Sequence, residues 1–213
     1  MLNLDTVGRL FDNKLMVLGA ESASEWPHIF RGIGFVTGIK SVMVNEPLDA
    51  SDQISFHKAG VPAVQLFAHA HTDYHRPGDI AEKIDADGLV KVAEVSMQVL
   101  DYLSGREEPM TIKLAGHKAS GKTAASRKVS LGSIPDFTYQ GDGYRLDGVV
   151  PDSPAEQAGL GKMDIIVGID DTPIKGLQDI SKLLKTLKPG QKINIHYLRD
   201  GAQHQTQVEL KSK

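Results

Sequence analysis

The chain has 213 residues, 40% of them hydrophobic and 24% charged, an ordinary composition for one large or two small globular domains. It has no cysteine, which excludes disulfides and thiolate metal sites, and no apolar run near the ~18 residues of a membrane span. Residues 1–104 carry 8 basic and 14 acidic side chains (net −6), and residues 105–213 carry 16 and 13 (net +3). Most of the positive excess lies in one segment, residues 105–128, and does not form a basic face. We therefore expect no nucleic-acid partner.

The first elements are two short apolar runs, residues 2–7 and 14–18, which predict strands joined by a hairpin turn at Asp12-Asn13. Asp5 lies inside the first run. A buried, unpaired carboxylate is costly, so Asp5 needs a metal, another cation or a place at a water-exposed sheet edge. The residues alone favour the sheet edge.

The chain then alternates between helix and strand signals up to residue 104. Ser22 or Ser24 is a candidate N-cap for a short helix with Trp26 and Phe30. Residues 41–44 predict a strand, 52–58 one or two helical turns, 61–67 a buried strand, and 86–103 a long helix capped by Asp85. Apolar side chains recur at threes and fours along the long helix, so it should cover a sheet face; they are Leu89, Val92, Ala93, Met97, Leu100 and Leu103. This alternation implies an α/β layer.

Polar side chains crowd directly after the strand at residues 61–67, namely His69, His71, Asp73 and His75. Because ligands in open α/β sheets gather at the carboxyl ends of strands, we expect a functional site there. Imidazole is an ordinary zinc ligand, so the three histidines are one candidate zinc site. Asp79, with Glu82 three residues later, predicts a helix cap.

Ordered motifs in this stretch carry a family resemblance. They are Ser51-Asp52, Phe56, Gly60-Val61-Pro62-Ala63, Asp73-Tyr74-His75-x-Pro77-x-Asp79 and Lys83-Ile84-Asp85. This pattern resembles the C-terminal signature of the zinc-dependent aminopeptidases, a family that also contains glutamate carboxypeptidase and the metal-free transferrin receptor. The resemblance implies that His75 is a zinc ligand. Residues 3–9 resemble the strand whose aspartate binds the other zinc, which implies that role for Asp5. His71 would then line the pocket mouth, and Asp52 and Asp79 are candidate partners of ligating imidazoles.

The resemblance also implies which parts of the family's site are missing. In the family, a His, a bridging Asp and a Glu-Glu pair precede the strand that carries Asp5, and the first Glu is the general base. Met1 lies too close to Asp5 to leave room for them, so we expect a fragment of a two-zinc peptidase. Such a fragment has too few strands to close the family's sheet, and should neither hold zinc stably nor hydrolyse peptides alone. Gln53 stands where the family commonly has His. A non-catalytic relative is disfavoured, because Asp5 and His75 are both retained.

Residues 105–128 lose all periodicity and are rich in Gly, Ser, Ala and Lys, which predicts a flexible basic linker. The predicted domains are therefore residues 1–104 and 129–213. The second contains a helix start at Ser153-Pro154 and strands at 192–198 and 205–210. Between the helix start and the first of these strands, an apolar stripe predicts a second helix, formed by Leu177, Ile180, Leu183, Leu184 and Leu187.

Residues 153–160, S-P-A-E-Q-A-G-L, followed by D-I-I at 164–166, resemble a bacterial-type PDZ domain. The resemblance implies that the loop Leu131-Gly132-Ser133-Ile134 offers backbone N–H groups to the C-terminal carboxylate of a peptide. The peptide would add as a strand between residues 134–139 and the helix bearing Ile180, Leu183 and Leu184. Met163 stands where the family usually has Gly.

The predicted fold is therefore a partial α/β peptidase sheet with covering helices, followed by a small, mostly-β PDZ domain with two helices. Two functions stay open. The first is a two-zinc aminopeptidase, of which this chain is part, with a PDZ module that binds peptides or protein C-termini. The second is an inert chain whose PDZ domain alone works. The sequence has no G-x-S-x-G motif, which argues against serine-hydrolase chemistry. The compartment stays open, with export to a bacterial periplasm as one option.

Overall fold

The computed structural model describes residues 1–10, 14–44, 51–68, 70–114, 127–139 and 141–212. The described residues form two compact units, the first within residues 1–69 and 75–121 and the second within residues 70–74 and 122–213. None of the helices among the described residues has both the length and the hydropathy of a membrane span.

The first unit mixes helices with a four-stranded sheet, as predicted. Its strands are β1 (Leu2–Leu4), β2 (Lys14–Leu18), β3 (Lys40–Val44) and β4 (Val64–Phe67), and its helices are α1 (Trp26–Thr37), α2 (Gln53–Lys58) and α3 (Ala86–Ser104). The sheet order is β1-β4-β2-β3. Strand β4 pairs parallel with β1 and antiparallel with β2, and β2 pairs parallel with β3.

The predicted hairpin between β1 and β2 is wrong, because β4 lies between these strands in the sheet. Asp12 and Asn13, on which that prediction rested, lie outside the described residues. A turn signal reports only local chemistry, whereas all four residues of β4 are buried, which favours a central position in the sheet.

The predicted serine cap of α1 is also wrong, since the residue before this helix is Glu25. Ser22 is buried, and its hydroxyl donates to the Ala63 carbonyl at 3.0 Å. The same hydroxyl accepts from the Ala63 N–H at 3.2 Å and from Trp26 Nε1 at 3.0 Å. His57 Nε2 lies 2.8 Å from the Ala63 oxygen. These bonds fix α1 and α2 to the residue that leads into β4.

Helix α3 begins as predicted, with Asp85 accepting a hydrogen bond from the Gly88 N–H at 2.9 Å. Of the six apolar residues predicted to be buried, Val92 is buried and Leu103 packs against the core cluster, whereas the other four, including Ala93, are exposed. Three valines enter the core cluster of the first unit and are fully buried, namely Val92, Val95 and Val99. Three residues predicted to be buried are 39%, 69% and 55% exposed, namely Leu89, Met97 and Leu100. Apolar residues at threes and fours occupy two adjoining faces of this helix, so spacing alone does not select between them.

The beginning of the predicted linker is attached to the first unit. The Glu25 carboxylate accepts from the Thr111 N–H at 2.9 Å and pairs with Arg106 at 3.3 Å. The Lys113 N–H donates to the Ser22 carbonyl at 2.9 Å. Residues 106–113 are therefore bonded to the first unit, which moves the start of any linker beyond them. Residues 115–126 of the predicted linker lie outside the described residues.

The second unit is rich in sheet, as predicted. Its strands are β5 (Val129–Ser130), β6 (Ser133–Pro135), β7 (Tyr144–Val149), β8 (Ile165–Ile169), β9 (Thr172–Pro173), β10 (Lys192–Arg199), β11 (Ala202–Glu209) and β12 (Lys211–Ser212), and its helices are α4 (Pro154–Gln157) and α5 (Leu177–Leu184). The larger sheet has the order β11-β10-β8-β7-β6, with β9 paired to β8, and β12 pairs with β5. Strand β6 thus lies at one end of the larger sheet.

The local signals of the second unit hold at α4. Ser153 Oγ accepts from the Glu156 N–H at 3.2 Å, and the Glu156 carboxylate accepts at 2.7 Å from the N–H of Asp152, the residue before the cap, which is a variant of the capping box. The predicted groove strand at 134–139 is wrong in length, because β6 ends at Pro135. Asp136 then turns the chain, with its carboxylate accepting from the Thr138 N–H at 2.9 Å.

The turn before β8 is built around a buried carboxylate. Asp164 is 1% exposed and accepts from the Gly161 N–H at 2.7 Å and from Arg199 Nε and Nη2, both at 2.7 Å. Met163, where the PDZ resemblance expects Gly, has a φ of +72° and is exposed. The departure at this position therefore costs backbone strain and leaves the core unchanged.

Candidate metal and peptide sites

Asp5 follows β1, and its backbone N–H donates to the Leu66 carbonyl at 3.2 Å. Its half-buried carboxylate accepts from the Ser51 hydroxyl at 3.1 Å and from the Thr6 hydroxyl at 3.2 Å. These donors are neutral, so they orient the carboxylate without cancelling its charge. The oxygens of Asp5 therefore keep the acceptor capacity that a cation would use.

His75 lies in the turn region that follows β4, where it is exposed and has a φ of +57°. Left-handed backbone is uncommon for a residue other than glycine, and it marks strained or functional turns. Within the described residues, no group of three or more His, Cys, Asp or Glu side chains is arranged to hold a metal ion. Zinc takes at least three protein ligands. Asp5 and His75 therefore do not by themselves fit zinc.

Asp79 forms an ion pair with Arg9, with 2.6 Å between Oδ1 and Nη2. The predicted helix cap at Asp79 is wrong, because the single 3₁₀ turn Ala81–Lys83 begins after Ile80. The ion pair joins the segment that follows Asp5 to the turn that carries His75. A role for Asp79 in orienting a ligating imidazole stays a prediction.

The remaining predicted site residues of the first half differ in exposure and in the side chains that they contact. Asp52 is exposed at the start of α2, and its neighbour Gln53 is 1% exposed. The half-buried His71 meets the Tyr74 ring edge-on, with 6.3 Å between ring centroids. His69 lies outside the described residues, so the three-histidine site stays a prediction. Sequence reasoning missed the buried His57, although it lies one helical turn from Gln53, a spacing that places both on one face of α2.

The predicted carboxylate loop of the second unit is held by its backbone. The Leu131 carbonyl accepts from the Ala155 N–H at 2.9 Å, and the Gly132 carbonyl accepts from the Val150 N–H at 2.7 Å. The Gly132 N–H donates to Ser130 Oγ at 3.2 Å. Gly132 has a φ of +75°, and a Cβ atom there would overlap Ser153 Cβ. Glycine is therefore required by backbone conformation and by contact with Ser153, in addition to any ligand.

Ser133, within this loop, contacts a buried phenol. Its Oγ lies 3.0 Å from the Tyr144 hydroxyl, and burial raises the pKa of Tyr144 to about 12. Arg127 donates from Nε to the Val129 carbonyl at 2.9 Å, and burial lowers the pKa of its guanidinium, which still stays charged. Sequence reasoning missed Tyr144 and Arg127, because neither belongs to the quoted motif.

The predicted groove helix α5 mostly faces the core. Ile180 is 2% exposed and Leu184 is fully buried, both within the core cluster of the second unit, whereas the half-buried Leu183 packs against that cluster. Of the three predicted groove residues, Leu183 therefore keeps most surface for a ligand.

Comparison with known proteins assigns the two halves separately. The family model for peptidase family M28 matches residues 1–100, and a PDZ domain model matches residues 134–210. The chain therefore combines a segment similar to an M28 peptidase with a segment similar to a PDZ domain.

The similar curated proteins match over short segments. A probable periplasmic serine protease do/HhoA-like from Haemophilus influenzae is 36% identical over 64 residues, which are 30% of this chain and 14% of that protein. A probable periplasmic serine endoprotease DegP-like from Pseudomonas fulva is 37% identical over 62 residues, 29% of this chain and 13% of that protein. The matched segment thus spans less than a sixth of either relative's length.

Two solved structures also resemble parts of the chain. A serine endoprotease from Yersinia pestis has 28% identity and a TM-score of 0.35, covering 40% of this chain and 29% of that one. An aminopeptidase N family protein from Idiomarina loihiensis has 20% identity and a TM-score of 0.37, covering 53% of this chain and 22% of that one.

Proposed function

We propose that the chain is part of a two-zinc metallo-aminopeptidase, and that its second unit is a module that binds peptides by strand addition at β6. The observation that carries the binding role is the loop at Leu131–Ile134, which leads directly into an end strand of a sheet. An end strand presents backbone donors and acceptors to an incoming strand. The match to a PDZ domain over residues 134–210 supports the same role.

The loop supplies the chemistry for one end of such a peptide. Backbone N–H groups in a left-handed turn converge on an anion, and the φ of +75° at Gly132 gives the loop that form. Charge-assisted hydrogen bonds of this kind are about twice as strong as neutral ones. Leu183 offers apolar surface to the last side chain of the peptide.

The peptidase role rests on the match of residues 1–100 to family M28, whose peptidases are typically zinc-dependent. Asp5 and His75 are the proposed ligands, with Asp52, Asp79 and His71 near them in the proposed complete site. Because the described residues do not fit zinc by themselves, we propose that further ligands and the general base come from elsewhere in the protein. The PDZ-like relatives carry periplasmic names, which supports a proposed location in the periplasm.

The binding role is tested by titrating the 213-residue chain with a hexapeptide that ends in an apolar residue, as the free acid and as the C-terminal amide. Amidation removes the charged acceptor, so we expect a loss of at least tenfold in affinity by calorimetry. Leu183→Lys should weaken binding of the free acid, and Gln157→Lys, at an exposed position of α4, is the matched control. Equal affinity for acid and amide would contradict the carboxylate loop.

A further inference from the structure

The backbone groups of β6 alternate between its partner β7 and the free side of the sheet. The Val150 N–H donates to the Gly132 carbonyl at 2.7 Å, and the Asp136 N–H donates to the Arg145 carbonyl at 3.0 Å. Between them, Ile134 is paired with Gly148. The register with β7 shifts between Ile134 and Pro135, but residues 132 and 136 on either side both bond to β7. Because successive residues of a strand point their backbone groups to opposite sides, Ser133 and Pro135 face away from β7. No described strand pairs with β6 on that side.

The two residues that face the free side are not equivalent. Ser133 presents an N–H donor and a carbonyl acceptor, whereas Pro135 presents a carbonyl alone, because proline has no N–H. The strand then stops. Asp136 pairs with Arg145 at 2.8 Å and accepts from the Thr138 hydroxyl at 2.7 Å, and Arg145 lies over the Tyr139 ring at 4.3 Å from its centroid. The edge therefore offers a single donor, next to the carboxylate loop.

We propose that Pro135 restricts the groove to free C-terminal ends of peptides and excludes internal strands, an inference that rests on the proposed peptide-binding function. A ligand antiparallel to β6 places its last residue opposite Ser133, so its third residue from the end lies opposite Pro135. The carbonyl of that third residue meets no backbone donor. Recognition therefore depends more heavily on the terminal carboxylate, which an internal strand lacks.

Proline on an end strand also protects a sheet against pairing with other edges. That protective role predicts self-association when Pro135 is replaced, and no change in peptide affinity. The inference instead predicts a change in affinity that depends on one identifiable carbonyl of the ligand. The two roles are thus separated by measuring peptide affinity.

The first test is Pro135→Val in the 213-residue chain, titrated with the free-acid hexapeptide. The new N–H should tighten binding about threefold to tenfold, the effect of one added hydrogen bond. In an NMR titration, the amide signal of the introduced valine should shift on saturation. Pro189→Val, at an exposed turn after α5, is the matched control and should leave affinity within twofold. Unchanged affinity for Pro135→Val would overturn the inference, whether or not the variant self-associates.

The second test uses the unaltered chain, so it does not depend on the folding of a variant. An ester replaces the peptide bond after the third residue from the end, which weakens that carbonyl as an acceptor. We expect affinity within twofold of the parent hexapeptide. A loss of tenfold or more would overturn the inference, because some donor would then be binding that carbonyl. If the free-acid hexapeptide does not bind at all, the proposed binding function falls and the inference falls with it.

Discussion

The two candidate sites differ in where their polar groups come from. In the first unit, Asp5 and His75 come from segments far apart in the chain, and their side chains must converge to hold an ion. In the second unit, the proposed donors are backbone groups within one short loop, Leu131–Ile134. A site made of distant side chains is complete only when every segment is present, whereas a site made of consecutive backbone groups is complete once the loop folds.

The largest effect expected from this difference is an absence of catalysis. The purified 213-residue chain with added zinc should not release a chromogen from an aminoacyl substrate, because two ligand positions do not hold a zinc pair. The measurement is absorbance over time, with zinc and with a chelator. Zinc-dependent release that is lost in His75→Ala would break the comparison, since the first site would then be complete as well.

The second unit should also depend strongly on its buried carboxylate. Asp164→Ala removes the acceptor for Arg199 and for the Gly161 N–H, so we expect a loss of about 3 kcal/mol in the free energy of unfolding. The measurement is urea unfolding followed by NMR signals of the second unit.

The control for this variant is Glu209→Ala. Glu209 pairs with Lys192 at 4.0 Å, and both side chains are more than 60% exposed, so the change should stay within about 0.5 kcal/mol. Equal losses for the two variants would show that burial of Asp164 contributes nothing.

In the first unit, the free energy of unfolding should depend on the buried hydrogen bonds around Ser22 and not on the candidate ligands. Ser22→Ala leaves Trp26 Nε1 and the Ala63 N–H without their buried acceptor, and should cost about 2 kcal/mol by urea unfolding followed at Trp26 fluorescence. Ser24→Ala, at the rejected cap position, should cost less than about 0.5 kcal/mol. If Ser24→Ala lowered the free energy of unfolding by clearly more than this, the prediction that a serine caps α1 would stand again.

The smallest effect concerns a turn that lies outside both sites. Met163→Gly should raise the free energy of unfolding of the second unit by about 1 kcal/mol, because glycine adopts a positive φ without strain. Met163→Ala is the control, since it removes the exposed side chain and keeps the strain. If Met163→Ala were equally stabilising, the gain would come from the side chain and not from the backbone.

Local signals in the sequence were reliable where one side chain bonds to a nearby N–H. Asp85 and Ser153 cap their helices as predicted, because the acceptor and its donor lie within one turn of the chain. The end of β6 at Pro135 was also readable, since proline and the Asp136 turn signal were both visible, yet the predicted strand ran through them.

Relations between distant segments could not be read in the same way. The position of β4 between β1 and β2 depends on which strand is buried on both faces. The choice of valines over Leu89 and Met97 for the buried face of α3 depends on the sheet beneath the helix. The same limit applies to the candidate metal ligands: the motifs single out Asp5 and His75, but convergence with a third ligand is a property of the folded protein.

The pairing of β12 with β5 gives the second unit neighbouring ends. Lys211 lies opposite Ser130 and Ser212 opposite Val129, so the first and last strands of this half of the chain are neighbours. A domain whose ends are adjacent can be joined to, or inserted into, unrelated proteins without disturbing its own sheet. Such ends are compatible with the two settings in which similar segments occur, in proteins named as serine proteases and, here, beside a segment similar to a metallopeptidase.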